Sequence, residues 1–214
     1  DMMYSEERVL ACYDGEDGWQ KACSLPKEFE NLEGISIAAY QGKLYLFGGL
    51  DNTTGKEQTV AMCMDTWTRK WEKMTALPEA RAFAKAVTIG NELVLTLGRN
   101  GEDSFPRNMI YDGKSWKISQ AQLQGLTADN SYSYYNGNME IQTVSYYSGC
   151  VGAVRGGVLY TGLEAENLGD TFFYQLSSDK YVKSGYAVSN SGTKGQIQAA
   201  IMQDKLYLMK QQGE

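Results

Sequence analysis

The segment Ile37-Ala38-Ala39-Tyr40-Gln41-Gly42-Lys43-Leu44-Tyr45-Leu46-Phe47-Gly48-Gly49 reads as strand, tight turn, strand. Its turn position holds a glycine, which tolerates the left-handed backbone a two-residue hairpin needs. Three more segments have the same form: Ala86 to Leu95, Gly152 to Tyr160 and Ala199 to Leu208. Gly42, Asn91, Gly156 and Asp204 stand at equivalent turn positions. Taking Leu44, Leu93, Val158 and Leu206 as markers, the intervals are 49, 65 and 48 residues. A period of this size points to a repeat architecture.

A second series runs out of phase with the first. Tyr13-Asp14, Met64-Asp65, Tyr111-Asp112 and Tyr174-Gln175 each end an apolar run, and Trp19, Trp71, Trp116 and Tyr181 follow. These aromatics are spaced by 52, 45 and 65 residues, so both series place the long interval in the same unit. Leu25-Pro26 and Leu77-Pro78 stand at the same offset from their tryptophans, six residues on, and Leu123 stands seven residues beyond Trp116.

Each unit therefore holds an inner hairpin rich in Ala, Val and Leu, then an apolar strand, then an aromatic-bearing outer strand. Such a sheet is apolar on both faces and must stack against copies of itself, and radial stacking gives a β-propeller. The chain is expected to be all-β. Pro78-Glu79-Ala80-Arg81-Ala82 reads as one helical turn, after which the strands from Ala86 take over. The markers divide the chain into a half-blade at about 3–25, complete four-stranded blades at about 26–77, 78–123 and 124–188, and a half-blade at about 196–209. The two halves either join as one closing blade or are completed by further blades or by another copy, because open sheet edges invite association.

Gly48-Gly49 after an apolar strand, then Met64-Asp65, then Trp71 resemble a kelch repeat. The other units are degenerate, with Leu97-Gly98, Gly162-Leu163 and Lys210-Gln211 in place of the double glycine. The resemblance implies a kelch-type β-propeller that binds a protein or glycan, usually in a ring larger than four blades. It also implies an alternative, since kelch propellers include copper oxidases similar to galactose oxidase and sialic acid mutarotases. The copper enzymes need histidine ligands and this chain has none. A mutarotase needs an acid/base pair, for which Glu79 and Arg81 are candidates by type.

Candidate binding residues follow from where loops emerge. In up-and-down blades the loops joining blades and those after each second strand share one face. That face is expected to carry Asn52, Arg99 and Glu164, with Arg81 at the channel mouth, where arginine pairs bidentately with acidic groups. The long interval adds a hairpin at about 130–147, in which Asn136-Gly137 between Tyr-rich and β-branched runs signals a type I′ turn. Its Tyr132, Tyr134 and Tyr135 have the composition of a recognition surface, since tyrosine gives large contact area at low entropic cost. The alternative is that each tyrosine only packs the hairpin down. Asp51, Asn52 and Asp103 are oxygen ligands suited to Ca²⁺, but they lack the alternating spacing of a compact loop.

Composition sets the outer limits. The 214 residues carry 43% apolar and 21% charged side chains, enough for a packed core. A net charge of −6 disfavours a nucleic-acid partner, and no run of about 18 apolar residues marks a membrane span. The absence of histidine removes the Ser-His-Asp triad and histidine-based metal sites from this chain, and no cofactor or metal is expected. Cys12, Cys23, Cys63 and Cys150 have no C-x-x-C spacing, and Cys12 and Cys63, inside apolar runs, read as buried thiols. The leading expectation is a non-enzymatic binding or scaffold module. The alternatives are a mutarotase-like enzyme or a structural spacer of a larger surface protein, in a secreted or a cytoplasmic setting.

Overall fold

A computed structural model describes residues 8–102, 104–163, 170–187 and 197–210. Strands β1 (Val9–Asp14) and β2 (Gly18–Ser24) form a two-stranded sheet, followed by a 3-10 turn at Lys27–Phe29. Strand β3 (Leu32–Glu33) leads into β4 (Ser36–Tyr40) and β5 (Lys43–Phe47), and β6 (Leu50–Asp51) and β7 (Lys56–Glu57) make a short excursion that pairs with β3. Strands β8 (Ala61–Asp65) and β9 (Trp71–Lys73) then complete a four-stranded sheet in the order β4-β5-β8-β9. The next sheet is β10 (Lys85–Ile89), β11 (Glu92–Thr96), β12 (Met109–Tyr111) and β13 (Trp116–Ile118), paired in sequence order. Strands β14 (Asn130–Tyr135) and β15 (Ile141–Tyr146) form a separate hairpin. A third four-stranded sheet follows from β16 (Cys150–Val154), β17 (Gly157–Thr161), β18 (Asp170–Gln175) and β19 (Lys180–Ala187), and then a pair, β20 (Ile197–Met202) and β21 (Lys205–Lys210). All pairing among the described residues is antiparallel. The chain is all-β, and the segment from Pro78 to Ala82 forms no helix.

The two marker series have separate physical causes. In three successive turns an aspartate caps the loop between third and fourth strands, or their equivalents. Asp14 Oδ1 accepts from the N–H of Asp17 at 2.6 Å, Asp65 Oδ1 from Trp67 and Thr68 at 2.9 Å, and Asp112 Oδ1 from Lys114 and Ser115 at 2.8 Å. These backbone donors hold the Asp65 and Asp112 carboxyls below their ordinary range. The outer tryptophans bind the preceding sheet. Trp71 Nε1 donates to Ser24 O at 3.3 Å, and Trp116 Nε1 donates to Thr75 O at 3.1 Å.

Stacking explains why the second strands are apolar without interruption. Leu93 and Leu95 pack with Tyr40, Tyr45 and Phe47 of the preceding sheet. Val94, between them, packs with Val158, Tyr160 and Tyr174 of the following one. All three β11 residues are fully buried, because alternating side chains of a strand covered on both faces meet a core on each side. The first strands β4, β10, β16 and β20 neighbour one another in succession.

The double glycine marks a close approach between units. Gly48, Leu97 and Gly162 all have positive φ, so the first position is left-handed whichever residue fills it. A Cβ at Gly48 would lie 2.0 Å from Arg81 O, and one at Gly98 would lie 2.1 Å from Ala82 O. Gly49 N donates to Arg81 O at 2.8 Å, which is the contact that draws the two backbones together. One cysteine departs from the sequence reading. Cys63 is buried, but Cys12 is exposed, because the two-stranded β1–β2 sheet has no outer cover on that side among the described residues.

Candidate functional site

The inserted hairpin is held down along one face only. Side chains alternate, so Tyr132 and Tyr134 point with Val144 and Tyr146 toward the loops that follow β5 and β9. Tyr134 is buried in a cluster with Leu50 and Ala82, and Phe83 and Tyr132 pack against it. Phe83 is the centre of the contact: its ring stacks on Tyr146 at 4.4 Å and meets Tyr132 at 5.2 Å. Gly34 makes room for that ring, since a Cβ there would fall 2.5 Å from it.

Polar contacts close the edges. Asn52 Nδ2 donates to Tyr132 Oη at 3.5 Å. Arg99 forms an ion pair with Glu57, both largely buried, and also donates to Ser145 O at 3.4 Å. At the base, Gly98 N donates to Tyr147 O at 2.8 Å, and Asp129 accepts from the backbone and hydroxyl of Ser148. Asn52, Arg99, Tyr132 and Tyr134 are thus brought together, as the parts that fix the hairpin.

The opposite face and tip stay in solvent. Tyr135 and Ile141 are direct cross-strand partners, 60% and 66% exposed, and Met139 beside them is 76% exposed. The turn is not the expected two-residue type I′. Met139 N donates to Asn136 O and Asn136 N to Glu140 O, both at 2.9 Å, with Met139 at φ 63. This is a three-residue loop, a type I turn followed by a left-handed residue. Asn136 takes the role by its side chain, since its Oδ1 accepts from Asn138 N and Glu140 N and its Nδ2 donates to the Glu140 carboxylate. Gly137 therefore needs no positive φ.

Arg81, expected to be open to a ligand, is buried. Its side chain is fully enclosed, with Nη1 donating to Leu97 O at 3.1 Å and Nη2 to Arg107 O at 2.7 Å. Burial lowers its pKa to about 10, against the raising influence of Glu79 at 3.6 Å. Its charge braces the segment between sheets and is not offered to a ligand. Glu79 instead borders a cavity of about 440 Å³ with Asn100, Glu102, Ser104, Arg107, Gln122 and Gln124. Asp51 is occupied as a turn cap by Thr53 and Thr54. Among the described residues no group of His, Cys, Asp or Glu is placed to hold a metal, and Glu164 and Asp103 lie outside those residues.

Residues 33–78, from β3 through β9, match the kelch motif. The chain carries a kelch repeat. A stretch of 77 residues, 34% of the chain, is 34% identical to Beta-scruin of Limulus polyphemus and spans 8% of that protein. The kelch match includes Gly48-Gly49, Met64-Asp65 and Trp71, the residues with defined structural duties above.

Sequence reasoning missed Phe83, Glu57, Met139 and Ile141. Phe83 sits in a connecting segment and Glu57 in the two-residue strand β7, neither with a periodic pattern to flag it. Ile141 was legible as the partner of Tyr135 only once the loop length was known.

Proposed function

We propose that this chain is a protein-binding kelch module whose sheets are blades of a β-propeller, three complete and two half, and that it takes its partner on the loop face through the β14–β15 tip. Kelch repeats generally mediate protein binding, which supports the class of partner. The observation that carries the reading is the division of labour among the tyrosines: Tyr132, Tyr134 and Tyr146 anchor, while Tyr135 remains exposed beside Ile141 and Met139. A rigidly held apolar tip costs little ordering entropy on binding. Asn52 and Arg99 act by holding that geometry.

The test is quantitative affinity capture with the native chain and a Tyr135→Ser/Ile141→Ser variant of unchanged circular dichroism. Proteins retained by the native chain and lost from the variant support the reading; identical capture profiles would sink it. The polar cavity beside Glu79 and Arg107 favours a second reading, a small hydroxyl-rich ligand such as a glycan, because carboxylate, amide and guanidinium groups line it together. Glycan-array binding that an Arg107→Ala/Gln124→Ala variant abolishes would favour it over a protein partner.

A further inference from the structure

Resting on the reading that the β14–β15 hairpin takes a protein partner, we infer that the partner binds as an extended segment added along the open edge of β14, making the hairpin three-stranded.

The direction of the backbone groups follows from bonds at both ends of the hairpin. In an antiparallel pair, residues whose N–H and C=O face the neighbouring strand alternate with residues whose groups face away. At the tip Asn136 faces β15, since its N–H donates to Glu140 O and its carbonyl accepts from Met139 N. At the base Tyr147 faces away from β14, since its N–H and C=O both bond Gly98, and Ser145 O turns the same way, toward Arg99. Counting from either end, Ser131, Ser133 and Tyr135 turn their backbone groups out from the far side of β14, opposite Ser145, Thr143 and Ile141. The close approach of Ser133 Oγ to Thr143 Oγ1, 2.8 Å, fits such a pair.

The Ser131 N–H is taken by the Asn130 side chain at 2.9 Å, whereas those of Ser133 and Tyr135 meet no acceptor among the described residues. Among those residues β14 pairs with β15 alone. The β15 edge differs, because Gly98 and Arg99 close it at its base.

Proteins blunt an open edge with charge, proline or a bulge. The outer strand of each four-stranded sheet follows that rule, with Glu72 and Lys73 in β9, Lys117 in β13, and Lys180 and Lys183 in β19. Strand β14 reads Asn-Ser-Tyr-Ser-Tyr-Tyr, without charge or proline, and its register with β15 runs unbroken. Tyr132 and Tyr134 fix its underside, so the edge is held extended before any partner arrives.

The chemistry of the edge specifies its occupant. Main-chain donors and acceptors on alternate residues match the main chain of another extended segment. Side chains select within that class. Tyr135 and Ile141 lie side by side and exposed, and an apolar or aromatic residue of the segment would complete a row of three across the sheet. The next outward row, Ser133 and Thr143, is hydroxylic and suits a Ser or Thr two residues away in the segment.

Short random peptides displayed on phage and panned on the native chain supply the probe. A selected peptide is resynthesised with one backbone N-methyl group at a time, and its dissociation constant is measured by fluorescence anisotropy. Weakening of about tenfold at every second position is expected, because only alternate N–H groups of the segment face β14. On the protein side, Ser133→Pro should weaken binding about tenfold more than Ser133→Ala, which removes the same hydroxyl but keeps the N–H. A methylation profile without that period, or no selected peptide, would overturn the inference. So would a dimer of the native chain in sedimentation that Ser133→Pro dissolves, since a second copy would then hold the edge. Peptides that survive Ser133→Pro and are lost on Tyr135→Ser/Ile141→Ser would overturn strand addition and leave the tip as the partner site. The tip reading fails on its own terms, through affinity capture unchanged in the Tyr135→Ser/Ile141→Ser variant.

Discussion

The β10–β13 sheet and the β14–β15 hairpin are close neighbours in sequence, the first rich in Val, Leu and Ile and the second in Tyr and Ser, and they are stabilised differently. Leu93, Val94 and Leu95 are buried on both faces of their strand. In β14 the exposure alternates, with Tyr134 buried and Ser133 and Tyr135 open. A strand enclosed between sheets gains from every residue, whereas a strand laid on a surface gains from every second one. The difference shows where the molecule has apolar groups to spare. Leu93, Val94 and Leu95 of β11 leave none exposed, and the hairpin tip exposes Tyr135, Met139 and Ile141.

The contrast is broken most severely at the contact between units. Gly48→Ala should prevent stable folding, a loss above about 4 kcal/mol, because its methyl would overlap the Arg81 carbonyl and strain a left-handed backbone. Failure of the variant to give a cooperative thermal transition is the expected result. Leu95→Ala should cost about 2–5 kcal/mol through the cavity it leaves between two sheets, measured by urea denaturation. Tyr134→Ala should cost less, about 1–3 kcal/mol, and hydrogen exchange should speed up in residues 130–146 while β11 remains protected. Equal loss of protection in both regions would mean that hairpin and sheet unfold as one unit.

Acid sharpens the comparison at the third sheet. Burial alone would raise the Asp179 pKa, but hydrogen bonds from Ser119, Tyr174 and the Gln120 N–H prevail and hold it below its ordinary 3.8. A lowered folded pKa means that this carboxylate stabilises at neutral pH and that the contribution is lost as pH falls through the folded value. Asp179→Asn should therefore lower stability at pH 7 and flatten the decline below about pH 4, the unfolded carboxylate range, in a pH series of thermal melts. The smallest effect is expected at the tip: Tyr135→Ser should change stability by no more than about 0.5 kcal/mol while weakening partner capture.

Much of the fold was legible because the repeat acts twice on the sequence. The hairpin markers record turn geometry, and the Asp and Trp markers record a turn cap and a contact between sheets. The Tyr-rich and β-branched runs that flank Asn136-Gly137 form strands at 130–135 and 141–146. The turn between them was misjudged because Asn136 works through its side chain, and dipeptide preferences describe backbone conformation alone. Arg81 was misjudged because charge predicts exposure unless carbonyls converge on the side chain, and those of Leu97 and Arg107 come from a distant part of the chain. Cys12 was misjudged because its apolar neighbours belong to a sheet with two strands, not four.

The sequence by itself determined the all-β character, the period of the units and the residues that turn, cap and pack each sheet, since these depend on short-range geometry repeated along the chain. Tertiary structure alone decided which tyrosines anchor and which face solvent, and whether an arginine braces or is displayed. Those outcomes depend on which loops meet in space, and residues as far apart as Asn52 and Tyr132 carry no local signal that they will touch.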